Sequence, residues 1–310
     1  LETLATARTL ARGDDEETAR VGIQAGMVQF LRGEYAGARA ELEAAIALGE
    51  RRGSDDVVAE GLKLIGNIAN NIGALAEAEA VYRRSVALYE RLEDEVGVGD
   101  VRSNLGSVYR RLGRYDDSLR EYNASLLIRE RIGHRRGIAT CHNNIGEVLR
   151  TRGEPLAAIP SYERAIEILE EIGATADAAV VRMNRAAAQL EAGDASGARD
   201  GLVDAERRFT ELGRFKFLPE LYMHLARAQL AVGELDEAAR TAQRSLDLAR
   251  GDAVRSQEGM TLRVQGEIAL ARGQRAEGRR ALEDSRSILA ELGEAAELAR
   301  TEQLLRTVEG

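Results

Sequence analysis

Tryptophan is absent from this chain of 310 residues, cysteine occurs once, proline three times and lysine only at Lys63 and Lys216. A single cysteine, Cys141, excludes an intramolecular disulfide and suits a reducing compartment, so a cytoplasmic location is expected. Aromatic residues make up 4% of the chain, so the core must be assembled from Ala, Leu, Ile and Val. No apolar run approaches the ~18 residues that cross a bilayer, and the N-terminus has no signal-peptide pattern. A net charge of −9 argues against a nucleic-acid footprint, which needs clustered cations.

The chemistry of an active site is missing as well. With three histidines and one cysteine, no cluster has zinc spacing, and neither a metal nor a cofactor is expected. Cys141 and His142 are neighbours on a helix and point apart, a poor nucleophile–base pair. The acidic run Asp14-Asp15-Glu16-Glu17 lies at a helix start, where negative charge suits the helix dipole. No GxxxxGK[ST] loop occurs. These absences predict a protein that is not an enzyme, with any activity belonging to a domain outside this segment.

What the chain does have is a rhythm. Gly33, Gly73, Gly113, Gly153, Gly193, Gly233 and Gly273 stand 40 residues apart, which implies seven copies of one unit. Each copy reads as two helices. In the first, small residues recur at Gly26, Gly66, Gly106, Gly146, Ala186, Ala226 and Gly266; in the second, at Ala38, Ala78, Ser118, Ala158, Ala198, Ala238 and Gly278. Small side chains in register let helix axes approach to ~8–10 Å. Leu42, Tyr82, Tyr122, Tyr162, Leu202 and Leu282 lie one turn along the second helix and are expected to fill the seam. Gly53, Gly133, Gly173, Gly213 and Gly293 read as C-terminal caps, and Pro155, Pro160 and Pro219 as helix starts. Residues 1–13 match the end of a second helix from a preceding, truncated copy. The copies then run 14–53, 54–93, 94–133, 134–173, 174–213, 214–253 and 254–293, and residues 294–310 form a helix that covers the end of the stack.

The motif of a large residue, a glycine, a large residue, a small one and an aromatic resembles the tetratricopeptide repeat. It stands as Leu105-Gly106, Tyr109, Ser118 and Tyr122 in one copy, and as Ile145-Gly146, Leu149, Ala158 and Tyr162 in the next. The family's usual tryptophan and closing proline are missing, and the period is 40 rather than the commoner ~34. The longer variety is similar to the repeats of kinesin light chains, of Pins-type adaptors and of bacterial signalling regulators. HEAT repeats share the period but fit the paired small-residue registers less well. The resemblance implies an all-α fold, a right-handed α-α superhelix of helical hairpins whose first helices line a concave groove. It also implies a protein–protein interaction module, the regulatory part of a larger bacterial signalling protein.

One groove register stands out: Asn104, Asn144 and Asn184 occupy the same place in adjacent copies, followed by His224. In proteins that resemble this one, such asparagines grip an extended peptide backbone, because one amide offers both a donor and an acceptor. Ser103 and Asn143 in one neighbouring register and Asn67 and Ser107 in another are expected to add selectivity. Arg110 and Arg150 are placed to pair with carboxylates, which favours an acidic peptide or tail as partner. Two alternatives stand beside this reading: a small-molecule sensor of a transcriptional regulator, and a scaffold that self-associates through its exposed ends.

Overall fold

The computed structural model describes residues 15–309; the expected fragment of a preceding copy over 1–13, and Asp14, lie outside the described residues. Every regular element described is a helix. In chain order these are α1 (Asp15–Leu31), α2 (Tyr35–Arg52), α3 (Asp55–Asn71), α4 (Leu75–Arg91), α5 (Glu95–Arg111), α6 (Tyr115–Arg131) and α7 (Arg135–Thr151). They continue as α8 (Pro155–Glu171), α9 (Thr175–Glu191), α10 (Ala195–Glu211), α11 (Leu218–Ala231), α12 (Leu235–Gly251), α13 (Arg255–Ala271), α14 (Arg275–Glu291) and α15 (Ala295–Glu309). The chain divides into two compact units, 1–152 and 153–310.

A backbone rule with half the sequence period joins these helices. Twelve glycines from Gly33 to Gly293, spaced in multiples of 20 residues, have positive φ in the turns between helices. At Gly33 the turn is closed by Gly33 N–H donating to the Phe30 carbonyl at 2.9 Å and Glu34 N–H to the Gln29 carbonyl at 3.0 Å. The left-handed conformation is what allows those bonds. Two turns use another residue in the same conformation: Glu93 at φ 56° and Ala253 at φ 55°. A Cβ is strained there, so Glu93→Gly and Ala253→Gly are each expected to stabilise the fold by about 0.5–1 kcal/mol, net of the chain entropy glycine adds. Urea unfolding with a raised midpoint and unchanged slope checks this.

Prolines behave less uniformly than their sequence positions suggest. Pro155 opens α8 and Pro219 is the second residue of α11, but Pro160 lies inside α8. It has no N–H for the carbonyl four residues back, so α8 forgoes one bond in its second turn. Pro219 likewise cannot donate to Phe215, and there the chain takes a 3-10 turn over Phe215–Phe217 before α11 begins.

Packing follows the two small-residue registers. A Cβ built on Gly66 would stand 2.4 Å from Cε1 of Tyr82, one on Gly26 2.6 Å from Cγ of Leu42, and one on Gly266 2.7 Å from Cγ of Leu282. Each of these glycines is thus the floor on which the large residue of its own second helix sits. On the opposite side of the α5–α6 seam, Ser118 is fully buried and its Oγ donates to the Gly106 carbonyl at 2.7 Å. Further along, Ser85, Ser125 and Ser245 donate to the carbonyls of Ala59, Gly99 and Pro219 at 2.8, 2.7 and 2.7 Å. A hydroxyl at one register therefore fastens the second helix to the first turns of its partner. In the second unit Phe209, Leu202 and Leu221 are fully buried. Leu305 and Val308 of α15 cover Leu282, and Arg275 Nε donates to the Val308 carbonyl at 3.0 Å.

Within each unit, the first helix of a hairpin also touches the first helix of the next, α1 on α3 and α11 on α13 most closely. First helices therefore crowd on the inner side of each stack, and their inner stripes are continuous from one hairpin to the next.

Candidate functional site

The inner stripe of α5 consists of Asp100, Ser103, Asn104, Ser107 and Arg110, all partly exposed, at the three- and four-residue spacing of one helix face. Buried Val101, Leu105, Val108 and Tyr109 occupy the other faces and hold the stripe in place. On α3 the same face presents Glu60, Lys63, Asn67 and Asn70, and on α7 Asn143, Asn144, Glu147 and Arg150, all partly exposed.

Asn104 and Asn67 meet across the α3–α5 boundary. Nδ2 of Asn104 donates to Oδ1 of Asn67 at 3.1 Å, and the same oxygen accepts the Tyr82 hydroxyl at 2.6 Å. The Tyr82 ring is buried at 1% exposure, and burial holds its phenol protonated, so it is a fixed donor that sets the Asn67 rotamer. No described hydrogen bond uses Nδ2 of Asn67 or Oδ1 of Asn104. One donor and one acceptor are left on adjacent helices. Tyr122 repeats the device a hairpin later: burial pushes its phenol up to about 12, and the Arg110 charge and then the Ser107 hydroxyl offset part of that rise.

The remaining polar groups of the first unit fall into paired and unpaired sets. Asn143 Nδ2 donates to Asn144 Oδ1 at 3.3 Å, and Arg150 pairs with Glu147 at 3.4 Å. Arg111 is drawn back to Asn70, with its guanidinium 2.7 Å from Oδ1. Lys63 is held by Glu60 at 2.8 Å, and the Tyr89 hydroxyl donates to the same carboxylate at 2.6 Å. Arg110 has no hydrogen bond or ion pair among the described residues.

Asn184 and His224 belong to the second unit, on α9 and α11. Asn184 is partly exposed, whereas His224 is buried at 8% exposure with Nε2 3.9 Å from Glu220. At the same register Leu64 and Val264 are buried too. Position in the repeat alone therefore does not make a residue accessible. The pairing of Asn67 with Asn104 was hidden from the repeat register, because the two lie three positions out of register. The 15-residue spacing of Asn67 from Tyr82, repeated by Ser107 and Tyr122, is the signal that points to it.

Cys141 is fully buried, its thiol donates to Ser125 Oγ at 3.5 Å, and burial pushes its pKa up, so the protonated thiol is the stable form. Among the described residues no group of three or more His, Cys, Asp or Glu side chains could hold a metal ion. No described helix is long and apolar enough to cross a membrane.

The tetratricopeptide-repeat family matches the sequence at residues 98–171 and again at 221–256. Among solved structures, aspartyl phosphate phosphatase F from Bacillus subtilis aligns with a TM-score of 0.74 at 14% identity, over 90% of this chain and 73% of that one. A Rap protein complexed with competence and sporulation factor aligns at 0.64 and 14% identity, over 94% of this chain and 75% of its own. A tetratricopeptide repeat protein from Parabacteroides merdae aligns at 0.63 and 16% identity, over 95% and 100%. At these identities the likeness is one of fold. No curated protein matches the sequence.

Proposed function

We propose that the chain, which matches the tetratricopeptide-repeat family over 98–171 and 221–256, is a non-catalytic interaction module whose first-unit inner face binds an extended peptide or the tail of a partner protein. The observation that carries this is the Asn67–Asn104 pair. Its unused NH2 and carbonyl, on neighbouring helices, are complementary to the C=O and N–H of a peptide backbone. Asn143 and Asn144 extend the polar stripe on α7, and Ser103 and Ser107 leave room beside the amides. Arg110, without a partner of its own among the described residues, supplies a fork of donors for a carboxylate, which gives preference to an acidic segment. Arg150 contributes less directly, since it has a glutamate partner, and Asn184 and His224 lie in the second unit, outside this face.

The Rap protein whose complex with competence and sporulation factor shares this fold supports the reading by analogy. A regulatory role within a larger bacterial signalling protein in the cytoplasm is the setting we infer. Display of random peptides against the intact chain tests it. Enrichment of extended sequences carrying Asp or Glu, lost when Asn67 and Asn104 are both alanine, is the expected result. Enrichment that is indifferent to those two residues would refute the assignment of the site.

A further inference from the structure

A cavity of about 450 Å3 lies in the first unit between α1, α3 and the turn from α4 to α5. Val21, Ile23 and Val57, all buried, form its apolar floor together with the buried ring of Tyr89. Gly97 lets that ring lie against the first turn of α5, since a Cβ there would collide with Cδ1 of Tyr89. Glu60 belongs to the inner stripe of α3, and Gln24 stands at the register of Asn104, so the cavity opens on the inner face.

The rim carries Glu17, Asp56, Glu60 and Asp94 against one guanidinium, that of Arg20. Arg20 is taken up by Glu16 at 3.0 Å and Asp56 at 2.7 Å. Oε2 of Glu60 meets both Lys63 at 2.8 Å and the Tyr89 hydroxyl at 2.6 Å, and no described hydrogen bond uses Oε1. Asp94 accepts the Gly97 N–H on Oδ1 at 2.9 Å; its Oδ2 is unused, and no cation meets it among the described residues. The lining is thus apolar below and net negative above, with acceptor oxygens to spare. That combination fits a side chain with an apolar stem and a cationic tip: the stem packs on Val21 and Val57, and the tip reaches the carboxylates beside an aromatic ring.

We propose that this cavity receives an arginine or lysine side chain of the bound peptide. The occupant rests on the reading of the inner face as a peptide site; the preference of the cavity for a cation does not. Glu60 and Asn67 are two turns apart on α3, or ~10 Å, which about three residues of extended chain span. The peptide is therefore bipolar, with a basic residue about three positions from the unit gripped by the amides and its acidic end toward Arg110.

The test uses the full chain, labelled with 15N, titrated with N-acetyl-arginine amide and with its uncharged isostere N-acetyl-citrulline amide at constant ionic strength. Backbone amides of residues 17–24, 56–60 and 94–97 are followed. Saturable shifts with the blocked arginine are expected, at an affinity at least about tenfold tighter than with citrulline. Asp94→Asn keeps the cap on α5, because an asparagine oxygen also accepts the Gly97 N–H, and should weaken the blocked arginine by about three- to fivefold. The Asn67 and Asn104 double alanine variant should bind it as wild type does. Linear shifts, equal responses to arginine and citrulline, or an Asp94→Asn titration equal to wild type would each overturn the proposal. The comparison of the two compounds on the wild type decides the matter even if the variant folds poorly. Peptides selected by display that carry no Lys or Arg would overturn the occupant. Saturation by the blocked arginine alongside peptides indifferent to Asn67 and Asn104 would keep the cavity and remove the amide site; the opposite pair of results would do the reverse.

Discussion

Valine at Gly66 is expected to lower the stability of the first unit by about 3 kcal/mol or more, seen as a drop in the urea midpoint and loss of cooperative unfolding. The reason is steric and local. Even a single Cβ at this position stands 2.4 Å from Cε1 and 2.6 Å from Cδ1 of Tyr82, a ring at 1% exposure with no route of escape. Alanine, which regains up to ~1 kcal/mol of helix propensity, should still be destabilising for the same reason. Gly33 provides the contrast. Its added Cβ meets nothing within 4 Å, and only its φ of 77° resists substitution, so Gly33→Ala should cost about 1 kcal/mol. If Gly66→Val proved as mild as Gly33→Ala, the glycines of the first helices would not be there for close packing.

The second expected result concerns binding. Replacing Asn67 and Asn104 together by alanine should weaken an extended peptide by roughly 5- to 150-fold, the worth of two hydrogen bonds at about 0.5–1.5 kcal/mol each. Isothermal titration with a display-selected peptide measures this. Circular dichroism checks that helix content holds, since both side chains are only partly buried. Replacing Asn104, Asn144 and Asn184 together is expected to weaken the same peptide, with Asn104 responsible for most of the loss. Tyr82→Phe refines the point. It removes the 2.6 Å bond that fixes Asn67 while keeping the buried ring, so stability should fall by only about 1 kcal/mol. Binding should fall with it, because Asn67 is then free to change rotamer. A peptide that binds Tyr82→Phe and the double alanine variant as tightly as wild type would place the contact elsewhere.

These two experiments probe connected parts of one arrangement. Gly66 makes room for Tyr82, and Tyr82 orients Asn67. A packing defect at the glycine is therefore expected to reach the binding face as well, with Gly66→Ala losing affinity in proportion to the displacement of the ring.

Much of the architecture was legible in the residues because its causes are local. A left-handed turn selects glycine with little regard to what surrounds it, so Gly33 and its partners announce where helices end. Small residues in register announce helix contacts for a similar reason: a Cβ there meets a Leu or Tyr of its own hairpin, as at Gly26 and Gly66. Glu93 and Ala253 escaped this logic, since neighbouring helices impose the same turn on residues that do not favour it.

Only the folded chain decided how the polar groups are used. Asn104 bonds to Asn67, 37 residues away and out of repeat register, because adjacent first helices are offset along their axes. His224 shares the register of Asn104 yet is buried, whereas Asn104 itself is partly exposed. Recurrence along a sequence establishes which side chains stand at equivalent places on successive helices. Whether each is bonded, covered or left to a ligand depends on distances between helices, and those are set by packing of the whole stack.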